Sequence, residues 1–90
     1  MAEQPPQVCD IILPDLGLPN TPIFASIWFR QDGEQVVEGE RILEIVAGNA
    51  VIDLPAPANG VLIEQLIEEE DLLEIGQLLG RISCSRNEPK

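Results

Sequence analysis

An internal repeat constrains this chain more than any other feature of its sequence. When the chain is shifted by 37 residues, Asp32–Ile45 aligns with Glu69–Ile82. Apolar positions coincide, for example Val36 with Leu73. Two copies are too few for a solenoid, which needs about three repeats. Unless the match is chance similarity between two Glu/Leu-rich segments, the repeat predicts one quasi-two-fold domain in which each half contributes a sheet.

Short apolar segments separated by turn residues indicate an all-β fold. The segments are four to eight residues long, rich in Ile and Val, and bounded by Gly, Pro or Asn, which is typical of a sandwich or barrel. The predicted strands are Val8–Leu13, Ile23–Phe29, Arg41–Val46, Ala50–Leu54, Gly60–Ile67 and Leu78–Cys84. The segment Leu62–Leu73 also fits a helical apolar stripe. The repeat instead aligns this segment with a turn of the first copy that is flanked by Gly33 and Gly39. It therefore favours a strand, a loop and a second strand over a helix.

The composition predicts a packed domain without a nucleic-acid partner. Ninety residues suffice for one domain, and the Ile, Leu and Val content is too high for intrinsic disorder. A net charge of −11 repels phosphate backbones and anionic membranes, and no apolar stretch reaches the ~18 residues of a spanning helix. Residues 1–7 and 85–90 are polar and contain Pro, so we expect disordered tails around a domain at residues 8–84.

Missing residue types exclude most catalytic and metal-binding chemistry. The chain has no His, and hence no imidazole base, Ser-His triad or His-ligated metal. The acidic run Glu68–Asp71 lacks the turn glycine of a calcium loop, so we interpret it as a solvated face that influences partner choice through its charge. We therefore predict no metal site and no enzymatic activity.

The two cysteines, Cys9 and Cys84, are too far apart in sequence for a C-x-x-C motif. No secretion signal precedes the first strand, so we expect a cytoplasmic protein with buried free thiols. The alternative is a disulfide, which requires Cα atoms no more than about 7 Å apart.

A hairpin is predicted between the two copies. Gly48 and Asn49 lie between Ile/Val-rich runs, and both tolerate the positive φ of tight hairpin turns. The following Pro55-Ala56-Pro57 interrupts strand pairing. Around this hairpin the chain resembles the lipoyl/biotinyl carrier-domain family. The matching motifs are residues 14–17 (PDLG), Trp28, residues 33–45 (GEQVVEGERILEI), residues 53–60 (DLPAPANG) and residues 70–79 (EDLLEIGQLL).

This resemblance covers roughly residues 8–83 and implies a flattened barrel of two four-stranded antiparallel sheets. It places Asn49 where the family has the lysine that carries lipoate or biotin. An amide nitrogen is not a nucleophile at neutral pH, because its lone pair is delocalised into the carbonyl. Gly48 also replaces the acidic or Met neighbour associated with ligase recognition, and Lys90 is the only lysine. The resemblance therefore implies a domain without an attached cofactor.

We accordingly predict a monomeric, non-catalytic interaction or structural module that docks on a 2-oxo acid dehydrogenase or a biotin-dependent enzyme system. One alternative is a lipoyl or biotinyl swinging-arm carrier, against which Asn49 argues. Another is the lipoyl-like piece of a membrane-fusion adaptor, but no helical hairpin interrupts residues 46–51.

The predicted partner surface surrounds the hairpin. In the family, the loop that corresponds to Leu16–Phe24 contributes to partner recognition, and we expect its Phe24 to be exposed. Trp28 is expected in the core. The predicted partner contacts are Leu18, Phe24, Gly48, Asn49, Glu69, Glu70 and Asp71.

Overall fold

The computed structural model describes residues 7–84, which form two antiparallel β-sheets. The strands are β1 (Gln7–Ile12), β2 (Ile23–Trp28), β3 (Gln35–Val36), β4 (Arg41–Ala47), β5 (Ala50–Pro55), β6 (Gly60–Gln65), β7 (Leu72–Leu73) and β8 (Leu78–Cys84). Sheet 1 has the order β1-β8-β6-β3, and sheet 2 has the order β5-β4-β2-β7. The predicted fold of two four-stranded antiparallel sheets is confirmed.

The boundaries of some elements differ from the prediction. β1 begins at Gln7, one residue before the predicted domain, because Gln7 pairs with Cys84 on β8. Phe24, which the sequence grouped both with the strand Ile23–Phe29 and with the loop Leu16–Phe24, belongs to β2, because it pairs with both β4 and β7. Residues 62–73 contain the end of β6, a turn and β7, so the helical alternative is wrong. The expected disorder of the tails concerns residues that, apart from Gln7, lie outside the described part of the chain.

The sequence repeat is also a structural repeat. A shift of 37 residues carries β2 onto β6, β3 onto β7, and β4 onto β8. The register irregularity between Ala25 and Ile27 recurs between Leu62 and Glu64. β1 lies beside β8 as β5 lies beside β4. The two sheets therefore have equivalent strand orders, as quasi-two-fold symmetry requires.

The turns before β4 and β8 have the same hydrogen bonds. The Glu40 N–H donates to the Val37 carbonyl at 2.9 Å, and the Gln77 N–H donates to the Glu74 carbonyl at 3.0 Å. In each turn the later side chain also accepts from the earlier backbone N–H: Glu40 from Val37, and Gln77 from Glu74. Polar residues at this spacing therefore close turns here and do not form a helix.

The two sheets enclose one apolar core. Val36 and its repeat partner Leu73 are 1% and 4% exposed, which confirms that equivalent residues face a shared interior. The largest fully buried side chains are Leu13, Ile42, Leu43, Ile45, Leu62, Leu79, Ile82 and Val36. Trp28 is also buried, and its Nε1–H donates to the Ile67 carbonyl at 3.0 Å, which satisfies the one polar group of the indole.

The two cysteines are not the free thiols that were expected from the sequence. Cys9 on β1 and Cys84 on β8 are joined by a disulfide, with their Cα atoms 6.3 Å apart. β1 and β8 are neighbouring antiparallel strands, and this pairing brings together residues that are separated by 75 positions in sequence. The expectation of two free thiols is therefore wrong.

Candidate functional site at the β4–β5 hairpin

The tip of the β4–β5 hairpin is a two-residue turn formed by Gly48 and Asn49. Ala47 and Ala50 are the last paired residues before it. Gly48 has a φ of 62°, and a glycine with positive φ at the first central position is typical of a type II′ turn. Both tip residues are exposed. The structure therefore places Asn49 at an accessible hairpin tip.

The loop between β1 and β2, residues 13–22, lies against this tip. A Cβ atom added to Gly48 would lie 3.3 Å from Cγ2 of Thr21. The Thr21 hydroxyl donates to the Pro19 carbonyl, and the Gly17 N–H donates to a carboxylate oxygen of Asp15. The loop is thus held by its own polar groups in contact with the hairpin. Leu18 in this loop is exposed.

An open cleft of about 750 Å³ lies between this loop and β7. Leu18 lines it on the loop side, and Leu72 and Ile75 line it on the other side. Leu72 and Ile75 are 62% and 48% exposed. Sequence reasoning missed both residues. Strand alternation could have indicated Leu72, since its neighbour Leu73 is the core residue that the repeat identified.

The acidic residues divide into structural and free carboxylates. A Glu69 carboxylate oxygen accepts from the Trp28 N–H at 3.2 Å, and a carboxylate oxygen of Asp71 accepts from the Glu68 N–H at 2.8 Å. Two of the three predicted acidic contacts therefore support the turn before β7. Glu70 has a φ of 78° and is exposed, so its side chain is accessible to solvent.

The basic side chains of residues 7–84 are all paired with carboxylates. Ion pairs join Arg30 to Glu40, Arg41 to Asp53, and Arg81 to both Asp10 and Glu64. The hydrogen bond to Glu64, reinforced by the charge of Asp10, raises the pKa of Arg81 above its usual value. Each arginine in the described part of the chain therefore has its charge compensated by at least one carboxylate.

Between Gln7 and Cys84, His, Cys, Asp and Glu side chains form no group of three that could hold a metal ion. Across these positions, no helix has the length and apolar character needed to cross a bilayer.

Comparison with known proteins identifies the family. Residues 10–82 match the biotin/lipoyl family profile, which is described as biotin-requiring enzyme. The dihydrolipoyllysine-residue succinyltransferase component of the 2-oxoglutarate dehydrogenase complex from Buchnera aphidicola is 31% identical over 78 residues, covering 87% of this chain and 20% of that protein. The corresponding Escherichia coli component is 33% identical over 73 residues, covering 81% of this chain and 18% of that protein.

A solved structure agrees with these relatives. The lipoyl domain of the 2-oxoglutarate dehydrogenase complex from Azotobacter vinelandii superposes with a TM-score of 0.67 and 30% identity, covering 81% of this chain and 92% of that domain. The chain spans about a fifth of the length of the two curated relatives, but nearly the whole of this lipoyl domain. The chain therefore belongs to the biotin/lipoyl attachment-domain family.

Proposed function

We propose that this chain is a lipoyl-type domain that carries no attached cofactor and acts as a non-catalytic protein-interaction module. The observation that carries the proposal is the chemistry of the hairpin tip. Asn49 lies at the position that the family resemblance assigns to the attachment lysine, and its amide nitrogen is not nucleophilic. Lys90 is the only lysine in the sequence. An amide link to lipoate or biotin therefore has no acceptor at the tip.

The proposed partner is a 2-oxo acid dehydrogenase system. Relatives of this chain are components of 2-oxoglutarate dehydrogenase and pyruvate dehydrogenase complexes, which supports docking on an assembly of that kind rather than on a biotin-dependent enzyme. The proposed contacts are the predicted ones around the tip: Leu18, Phe24, Gly48, Asn49, Glu69, Glu70 and Asp71. The chain acts as a monomer, because a net charge of −11 opposes self-association.

Mass spectrometry tests the absence of a cofactor. The wild-type chain and Asn49→Lys are incubated separately with lipoate ligase, lipoate and ATP, and with biotin ligase, biotin and ATP. The lipoyl domain of the Escherichia coli succinyltransferase serves as the positive control for lipoylation. We expect no adduct on the wild-type chain, and an adduct there would refute the proposal.

The Asn49→Lys variant tests whether the missing lysine alone prevents the attachment of lipoate or biotin. Its free energy of unfolding should change by less than about 0.5 kcal/mol, since position 49 is an exposed turn tip. It should still be a poor ligase substrate, because Ala47 and Gly48 lack the flanking residues of the family. Efficient loading would instead show that the missing lysine is the whole explanation.

Docking is tested with the purified 2-oxoglutarate dehydrogenase complex of the source organism. The full 90-residue chain is immobilised, and binding of the complex is measured by surface plasmon resonance. Saturable binding is expected, and its absence contradicts docking on this complex.

The proposal also places the chain in the cytoplasm. Because the cytoplasm keeps most thiols reduced, the Cys9–Cys84 disulfide should exchange with its dithiol form there, so that part of the pair is found reduced. Thiol alkylation in intact cells, followed by intact-mass measurement, checks this. A fully oxidised pair in cells would contradict the cytoplasmic location.

A further inference from the structure

The outer face of sheet 2 carries a row of apolar side chains that the described fold leaves uncovered. Leu72 on β7 pairs with Phe24 on β2, Phe24 pairs with Val46 on β4, and Val46 pairs with Val51 on β5. Leu72, Phe24 and Val51 are 62%, 41% and 63% exposed, whereas Val46 is half-buried. We call these four residues the sheet 2 row.

The register makes the row one continuous surface. Side chains directly opposite each other on neighbouring antiparallel strands have Cβ atoms about 4.5–5.5 Å apart. The chain neighbours Ile23, Ala25 and Leu73 are buried, so the row points away from the core. Single exposed apolar residues are common, but contiguous apolar patches on a surface indicate interaction sites.

The quasi-two-fold symmetry provides a comparison within the same molecule. The equivalent row on sheet 1 consists of Gln35, Val61, Ser83 and Val8, which are joined by the same register pairs. Two of these four residues are polar, and none is aromatic. Because both sheets have the same strand order, the fold does not require an apolar residue at every position of the sheet 2 row.

Negative charge lies beside one end of the row. Leu72 also lines the cleft described above, together with Leu18 and Ile75. The exposed residues Glu70 and Glu74 flank Leu72 in the chain, and neither forms an ion pair with another residue of the described part. The row therefore has an apolar centre and an acidic margin.

We propose that the sheet 2 row binds a partner protein whose contact surface has an apolar centre and a rim of Lys and Arg. The charge argues for this partner over a second copy of the chain, since two domains of net charge −11 repel each other. Opposite charge on the rim speeds encounter and orients the partner, while the apolar side chains supply contact area. This inference rests on the proposed interaction function and adds to it the contact surface and the charge of the partner.

Site-specific photo-crosslinking tests the surface. The photoreactive residue p-benzoylphenylalanine replaces either Val51 in the row or its equivalent on sheet 1, Val8, which is similarly exposed at 52%. Each full chain is expressed in the source organism and irradiated in cells. We expect position 51 to form a discrete product that position 8 does not form. The crosslinked peptide of the partner should lie in a surface rich in Lys and Arg, and adding Phe24→Ser should abolish the product.

Several outcomes of the crosslinking would overturn the inference. They are equal products from both positions, a product with the mass of two copies of this chain, crosslinking into an acidic surface, and a product unaffected by Phe24→Ser. Each contradicts either the surface or the partner charge that we propose.

A binding measurement separates this inference from the proposed function. The purified 2-oxoglutarate dehydrogenase complex is titrated onto the wild-type chain, the row variant Phe24→Ser/Leu72→Ser and the control Val8→Ser/Val61→Ser. We expect roughly tenfold weaker binding for the row variant, as for loss of an aromatic hot spot, and less than about twofold for the control. Equal binding by all three chains would show that the sheet 2 row is not the contact surface, while docking on the complex would still be supported. If none of the three chains binds, docking on this complex is contradicted. The crosslinking result then decides whether the sheet 2 row is a contact surface.

Discussion

Replacing Glu70 with glycine should stabilise this domain, because Glu70 has a backbone conformation that favours glycine. Its φ is 78°, and its repeat equivalent, Gly33, has a φ of 93°. The two residues make matching backbone hydrogen bonds, from the Glu70 N–H to the Ala25 carbonyl at 2.8 Å and from the Gly33 N–H to the Leu62 carbonyl at 2.7 Å. Strand pairing within each sheet therefore imposes the same conformation on both turns, whichever residue occupies the position.

The magnitude follows from two opposing effects. A left-handed backbone conformation raises the free energy of the folded state by about 1–2 kcal/mol for a residue with a side chain. Glu70→Gly removes this cost. Glycine also gives the unfolded chain more freedom, which lowers stability by about 0.4–1 kcal/mol. The midpoints of the two ranges leave a net gain of about 0.8 kcal/mol, or a rise of roughly 3–6 °C in Tm for a domain of this size.

Urea unfolding followed by circular dichroism measures the free energy of unfolding for three variants. Glu70→Gln removes the charge but keeps the side chain, so it should change stability by less than about 0.5 kcal/mol. Gly33→Glu should destabilise by about the amount that Glu70→Gly stabilises, because a Cβ atom at Gly33 meets no other atom within 4 Å and only the backbone cost remains. The exchange of both residues should therefore be close to neutral.

Two results would refute this reasoning. If Glu70→Gln stabilises as much as Glu70→Gly, relief of charge repulsion within the acidic run is the cause, and the backbone is not. If Gly33→Glu is neutral, the left-handed conformation carries no measurable cost in this turn.

Two further substitutions and the reduction of the disulfide test the packing of the fold. Gly80→Ala should destabilise by about 1–3 kcal/mol in urea unfolding, because the new Cβ would lie 2.5 Å from a backbone carbonyl oxygen of β6; a neutral result would show that the strands can separate there. Reduction of the Cys9–Cys84 disulfide should cost about 2–5 kcal/mol, since the disulfide closes a loop of 75 residues; an unchanged Tm after dithiothreitol, with alkylation confirmed by mass, would contradict this. Trp28→Phe should cost about 1–3 kcal/mol, because it leaves the Ile67 carbonyl without its indole donor; a change below about 0.5 kcal/mol in thermal unfolding would show that another donor replaces it.

Much of the fold was predictable because its signals are local. The rhythm of Ile- and Val-rich segments between Gly, Pro and Asn located the six long strands to within two residues at either end. The repeat added the equivalence of Val36 and Leu73, and it correctly favoured a turn over a helix in the Glu-rich segment. It succeeded there because a helical stripe and a strand-turn-strand segment can share one apolar pattern, and only comparison with the Gly-flanked first copy distinguishes them.

The candidate site was predictable only in part. The Gly48-Asn49 tip was identified from turn chemistry, and the exposure of Phe24 was expected. The sequence did not predict which acidic residues support the turn and which face solvent. The hydrogen bond from the Trp28 N–H to Glu69, for example, joins residues from different repeats. A carboxylate in a charged run appears the same in sequence whether it supports a turn or faces solvent.

The sequence by itself determined the strand segments, the repeat and the absence of lysine from the hairpin tip, because each depends on residue types and short-range spacing. Tertiary structure alone decided that Cys9 meets Cys84, and that the sheet 2 row assembles from Phe24, Val46 and Leu72 together with a residue of β5. The physical reason is strand register. Backbone hydrogen bonds between distant segments determine which side chains lie opposite each other, and no local pattern in either strand records its partner.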